Sequence, residues 1–271
     1  MVIGLIGAEN SHAAHFLETI NRQQRYGGVS IKHIYGGDDP EKSCKLAGEF
    51  DLQNCGSEEE VIENSDAVVV TYRKGSLHHD AVMKALRAGK SVFNDKPFAT
   101  KTGDAREIAD YARGGNLLLC GGSNIKSLEG VASAAQKIEP GDTVVISFAA
   151  DPDSEYDGYF FYGIHSVETC LTLFGLDYRS VSSTRDGGTV VSIVSYPKNK
   201  CVIMTSPGLL RLDITVYGND KTVHYPVSLE YESVGPDEFV QMLLSNKPPR
   251  DYEFYAKAVE LTNDIIRSSG I

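Results

Sequence analysis

Three short stretches of the chain carry side chains able to move protons or hold anions. Asp95-Lys96-Pro97 sets a carboxylate beside an ammonium at the end of the apolar run SVFN. YGIHSVETCLTLFG places His165 and Glu168 three residues apart, which on a helix puts them on one face. GLIGAENSH runs an apolar segment into Gly7 and then into a helical pattern, the layout of a turn whose glycines admit a phosphate to the backbone. An ammonium stabilises developing negative charge, and an imidazole takes up a proton near neutral pH. Each stretch also has an ordinary alternative. Lys-Pro after a strand is commonly a solvated loop, a helical His-x-x-Glu is commonly a surface pair, and His-x-x-Glu can also supply metal ligands. Of the pair His78-His79, one suits capping or packing at a helix start, and Ser11 suits a helix cap.

The elements that must position these residues follow from hydrophobic period. Strand signals at 2–6 and 29–35 flank a helical stretch at 12–24, which is a β-α-β unit. The alternation continues through a helix at 40–50, a strand near 53, a helix at 58–63 and the run DAVVVTY at 66–72, which is apolar enough to be a central strand of a parallel sheet. A helix at 77–88, a strand at 91–95, a helix at 104–113 and a strand at 116–122 complete a doubly wound Rossmann sheet. After Gly122 come helix 128–137, strand 143–149, helix 164–174 and strand-like runs at 179–183, 189–195, 201–206, 211–217 and 222–226. Short turns join those runs, so the second sheet is expected to be mainly antiparallel, with helices at 236–244 and 251–267 closing the chain. The fold class is therefore α/β, a Rossmann domain at 1–122 followed by an α+β domain at 123–271 for substrate and oligomerisation. In open α/β sheets ligands sit beyond the carboxyl ends of the strands. This selects Gly7 to His12, Gly36 to Asp39, Thr71 to Gly75, Asp95 to Pro97 and Gly121 to Asn124.

Composition narrows the function classes. The 271 residues carry a net charge of -11, which repels nucleic-acid backbones and anionic membranes. Five cysteines, none in a C-x-x-C pair, suit buried thiols in a reducing compartment. The N-terminal residues have no basic flank before an apolar run, so the expectation is a soluble cytoplasmic protein without a signal or anchor.

SVFNDKPFA resembles the Glu-Lys-Pro signature of the Gfo/Idh/MocA family, with Asp95 for the usual glutamate. The surrounding segment, from the strand through Thr71, His78, Gly89-Lys90 and the next strand, is similar over its whole length. YGIHSVETCLTLFG resembles the family's Gly-x-His-x-x-Asp helix, with Glu168 where aspartate is commoner. The resemblance implies an NAD(P)-dependent oxidoreductase exchanging hydride with a sugar, polyol or related hydroxy compound. It implies Lys96 beside nicotinamide and substrate hydroxyl, His165 as the proton-exchanging group, and Glu168 orienting the ring or binding a hydroxyl. It further implies cofactor contacts from Gly7, Ala8, Asn10, Ser11, Asp38, Thr71, Tyr72, His78, Asp95 and Lys96, and substrate contacts from Asn124, Tyr162 and His165. No metal is expected. Relatives pair through the open face of the second sheet, which implies a homodimer or larger homo-oligomer.

The turn departs from this pattern. In G-x-G-x-x-G the second glycine admits the pyrophosphate and the third packs helix on strand, and here those positions hold Glu9 and His12. A carboxylate about 4 Å from a phosphate oxygen costs roughly 4 kcal/mol at an effective dielectric of 20, about three powers of ten in affinity. Glu9 must therefore point away, or the usual placement is lost. The acid that should hold the adenosine ribose is also late, since Gly36-Gly37 stand where it belongs and Asp38 follows. ENSHA, YGGD and DKP together resemble an atypical branch of the family. Two rival readings follow: a non-catalytic or regulatory small-molecule-binding protein that has lost dinucleotide binding, and metal chemistry through His12, His15, His165 and Glu168.

Overall fold

The computed structural model describes residues 1–271 as two compact units. The first comprises Met1–Ala99, Gly103–Gly122 and, from far along the chain, Glu232–Tyr255; the second comprises Thr100–Thr102, Ser123–Tyr231 and Ala256–Ile271.

The first unit holds a six-stranded sheet in the order β3-β2-β1-β4-β5-β6, parallel throughout. Its strands are β1 (Val2–Ile6), β2 (Ser30–Tyr35), β3 (Gln53–Asn54), β4 (Ala67–Val70), β5 (Ser91–Asn94) and β6 (Leu119–Gly121). The helices between them are α1 (Ser11–Leu17), α2 (Pro40–Phe50), α3 (Glu58–Glu63), α4 (His78–Arg87) and α5 (Thr102–Gly114). Strand order reverses between β1 and β4, so the ends of these two strands bound the crevice where such sheets take ligands. All four residues of β4 are buried, as a strand covered on both faces requires. The helix expected at 12–24 is α1 followed by a π-turn at Glu18–Arg22. Phe16 and Phe93 meet edge to face at 4.8 Å between ring centroids. Phe239 of α8 (Val234–Ser245) completes the trio at 6.4 and 6.0 Å, so a late helix seals an early core.

The second unit is a six-stranded sheet in the order β12-β11-β7-β10-β9-β8. It consists of β7 (Thr143–Phe148), β8 (Ser180–Asp186), β9 (Thr189–Ser195), β10 (Lys200–Thr205), β11 (Leu212–Tyr217) and β12 (Thr222–Val227). Only β7 and β10 pair in parallel, and the hairpins are antiparallel as the short turns required. Alternate residues Val144, Ile146, Val190, Val194, Ile203 and Ile214 are fully buried. α6 (Glu129–Ala135) contacts β11 and β12, and α7 (Phe160–Phe174) contacts β7 and β10. The last helix, α9, spans Glu253–Ser269. No helix is long and apolar enough to cross a membrane.

Candidate functional site

The β1–α1 turn is built around Gly7, whose φ of +95° is open to glycine and costly for other residues. A side-chain carbon there would lie 2.6 Å from the backbone nitrogen of Tyr72, so glycine also lets the ends of β1 and β4 close on each other. Thr71 binds the turn in place, its hydroxyl donating to the Gly7 carbonyl at 2.9 Å. The amides of Ala8 and Glu9 donate to the Asp38 carboxylate at 2.8 and 3.2 Å. Burial raises the carboxyl of Asp38, and these amide bonds oppose the rise. Asp38 thus reaches the turn from beyond the end of β2, one step later than the usual acid.

Glu9 is turned toward Arg73, with its carboxylate 3.5 Å from the guanidinium, and its own carbonyl accepts from Lys42 Nζ at 2.7 Å. The carboxylate in the turn is therefore held by a cation rather than set bare against a phosphate. The helix cap lies one residue earlier than expected. Asn10 has the extended backbone of a cap and accepts from the His12 amide at 3.2 Å, whereas Ser11 is the exposed first residue of α1.

The DKP loop follows β5. Asp95 is wholly buried, His12 Nδ1 lies 2.8 Å from both of its oxygens, and Asn10 Nδ2 donates to Oδ2 at 2.9 Å. Burial alone would raise its carboxyl, but His12, then Lys96 and His78, hold it below the usual carboxylate range. Lys96 is 4 % exposed, and burial pushes its ammonium below the ordinary lysine range; Asp95 opposes this and Arg73 adds to it. His78 is a packed residue, fully buried with Nε2 2.8 Å from the Tyr72 carbonyl oxygen. Tyr72 is buried, and its hydroxyl donates to Glu58 at 2.6 Å.

In the second unit α7 carries His165 and Glu168, both buried. His165 Nδ1 is 2.7 Å from Ser123 Oγ, and its ring packs against both Phe148 and Tyr162 at 5.8 and 5.5 Å between centroids. A serine hydroxyl can donate or accept, so Ser123 can satisfy either tautomer of the ring. Glu168 accepts from the Ser123 amide at 3.0 Å, and Lys126 Nζ lies 3.4 Å from the same carboxylate oxygen. Lys126, 2 % exposed, also donates to the Ser123 carbonyl at 2.8 Å. Glu168 therefore bears on the imidazole through Ser123, and loss of either partner of a buried ion pair costs about 3–5 kcal/mol. Asn124 is buried in the 3-10 turn Asn124–Ser127, while Tyr162 is 39 % exposed. Ser123 falls in the strand-end stretch 121–124 that the sequence selects, whereas Lys126 had no sequence signal: in SNIKS a lysine reads as a solvated loop cation, and only tertiary packing buries it. No three side chains among histidine, cysteine, aspartate and glutamate are grouped so as to hold a metal ion.

Residues 1–122 match the family model described as Gfo/Idh/MocA oxidoreductase, NAD-binding Rossmann fold. An uncharacterized oxidoreductase of Streptococcus pneumoniae is 28% identical over 190 residues, covering 64% of this chain and 50% of that protein. Inositol 2-dehydrogenase of Cereibacter sphaeroides is 40% identical over 121 residues, covering 44% of this chain and 35% of that enzyme. The matches thus span half or less of these curated relatives. GenD2 from gentamicin A biosynthesis, solved in complex with NAD, superposes with a TM-score of 0.85 at 17% identity, covering 100% of this chain and 94% of that one. A putative myo-inositol dehydrogenase from Sinorhizobium meliloti superposes at 0.83 with 15% identity, covering 100% and 97%. At these identities the superpositions establish the fold.

Proposed function

We propose that this chain, a member of the Gfo/Idh/MocA oxidoreductase family, is an NAD(P)-dependent dehydrogenase or reductase acting on the CH–OH group of a sugar, polyol or related compound. The observation that carries the reading is Lys96, an ammonium buried beside a carboxylate at the carboxyl end of a central Rossmann strand. Burying an ammonium is costly, and a Rossmann scaffold has no structural need of one there.

The residues of the first unit fit a pyridine dinucleotide. Gly7 keeps the turn tight, Asp38 presents a carboxylate for ribose hydroxyls, and Arg73 neutralises Glu9, which removes most of the repulsion that residue would exert. Gly7, Ala8, Asn10, Ser11, Asp38, Thr71, Tyr72, Asp95 and Lys96 would hold the cofactor, with His78 supporting the Tyr72 carbonyl behind them, and the cofactor when bound supplies the two-electron exchange. Lys96 offsets the negative charge that develops on the substrate oxygen and forms with His165 the pair that handles the hydroxyl proton, which His165 takes at Nε2 while Ser123 fixes Nδ1. Glu168 and Lys126 hold Ser123 in place, and Asn124 and Tyr162 contact substrate beside His165. The relatives named for inositol support a polyol, and the complex of GenD2 with NAD supports that cofactor.

Isothermal titration with NAD and with NADP tests the reading, and micromolar binding of one of them is expected. A second reading, a small-molecule-binding protein without dinucleotide, is favoured by the Ala8 and Glu9 amides being engaged by Asp38. Absence of heat with both cofactors, in protein that melts cooperatively, would select it.

The same proposal includes a cytoplasmic homo-oligomer. The outward residues of the second sheet place Ile193, 42 % exposed, against Val202 in register, and Val202 against Val145. These three residues form an apolar row across three strands. Light scattering is expected to give a dimer or larger species, and Ile193→Lys to shift it toward monomer. A native chain that stays monomeric at high concentration would rule this out.

A further inference from the structure

The histidine that replaces the third turn glycine has a role the glycine pattern does not supply. His12 is 6 % exposed and its ring turns inward, with Nδ1 on both oxygens of Asp95. Asn10, from the same turn, donates to that carboxylate as well. Asp95 precedes Lys96 directly and both are buried, so the carboxylate held by two groups of the turn is also the one whose charge steadies the lysine's proton. A carboxylate engaged by an imidazole and an amide is a weaker counter-ion for a neighbouring ammonium.

The remaining charged and titratable groups around this cluster come from several elements. His78 of α4 and Arg73 beyond β4 act on Asp95 and Lys96. His15, one helical turn from His12 with ring centroids 5.5 Å apart, is half-buried and feels Glu232 and Asp95.

We propose that His12 is a positioning residue for Lys96: it holds the Asp95 carboxylate toward the β1–α1 turn and so sets how strongly that carboxylate acts on the lysine ammonium. The altered turn, on this view, ties the cofactor-binding strand to the loop bearing the proton-handling lysine. The inference rests on the role given to Lys96 above, and its test is read in protein without cofactor or substrate, so the two can fail separately.

The measurement is an NMR titration of the lysine side chains, Lys96 being assigned by its loss in Lys96→Arg. In His12→Gly, which restores the residue of the usual pattern, and in His12→Leu, the Lys96 midpoint should rise by about one pH unit, a tenfold gain in proton affinity. His12→Asn keeps an N–H donor near the place of Nδ1 and should titrate within about 0.3 unit of the native protein. A native midpoint in His12→Gly would overturn the proposal. An equal rise in His12→Asn and His12→Gly would overturn it too, since the effect would then follow side-chain bulk rather than the hydrogen bond. If leucine does not fold, the glycine and asparagine variants decide. Titration with NAD that shows no binding, alongside the expected Lys96 shift, would remove the dehydrogenase reading while leaving the His12–Asp95–Lys96 linkage in place.

Discussion

Alanine at position 96 is expected to lower kcat/KM by about 10³- to 10⁴-fold in NAD-linked oxidation of the best polyol substrate, myo-inositol being the first to try. The size follows from two functions held by one group. A charge aimed at a developing alkoxide in a buried site contributes about 10²- to 10³-fold, and proton delivery about 10²- to 10⁴-fold, with the two overlapping rather than multiplying. Lys96 is suited to both because it is buried beside Asp95, where its ammonium holds its proton less firmly than a solvated lysine does. Arginine is not expected to rescue, because a guanidinium keeps its charge and cannot exchange a proton near neutral pH. NAD affinity, measured by calorimetry, should change only a few-fold, which separates loss of chemistry from loss of cofactor. Turnover of Lys96→Ala within tenfold of native would exclude the lysine from the reaction.

Gly121→Ala should cost more than about 4 kcal/mol of stability or prevent folding altogether, as read by urea unfolding. Gly121 ends β6 with φ +140° and pairs with Asn94 of β5. An added carbon would stand 1.8 Å from the Asn94 carbonyl oxygen, 2.6 Å from its carbon and 2.9 Å from its nitrogen. These are backbone atoms of a central strand, also bonded through Gly122 N–H to Asn94 O at 2.8 Å, so no flexible side chain can yield. Asn94 leads directly into Asp95-Lys96, and any relief would displace the loop that bears the reactive groups. Gly103→Ala is the control: nothing lies within 4 Å of its added carbon, and its stability should stay near native. An alanine at 121 as stable as that control would mean the strands approach less closely than described.

The parts of the architecture set by local pattern were readable from residue order. DAVVVTY is apolar on both faces and became the fully buried β4, and the short turns after 179 became hairpins. Lys96 and His165 stood out because each sits where a strand end or a helix face can present it. The sequence requires Glu9 either to turn away or to displace the phosphate, but its partner Arg73 lies beyond another strand, and only tertiary structure joins them. The same holds for Lys126, whose importance comes from burial against α7, and for the pairing of Ser123 with His165, since the sequence marks Ser123 only as part of a strand-end stretch. In the sequence His12 stands at a glycine position and offers an imidazole whose partner the residue order does not reveal. Its value as a ligand for Asp95 depends on the order in which β1 and β5 flank β4. The cap shifted from Ser11 to Asn10 because Asn10, in the extended backbone of a cap, can serve both the helix amide and Asp95.

The packing of Phe239 against the Phe16–Phe93 pair has a consequence for how the protein is made. Synthesis runs from one end, so every strand of the first sheet leaves the ribosome before α8 exists. At about 5–20 residues per second the delay is on the order of ten seconds. During it the nascent chain exposes aromatic surface that its own later segment will cover, an interval in which a holdase chaperone has something to bind.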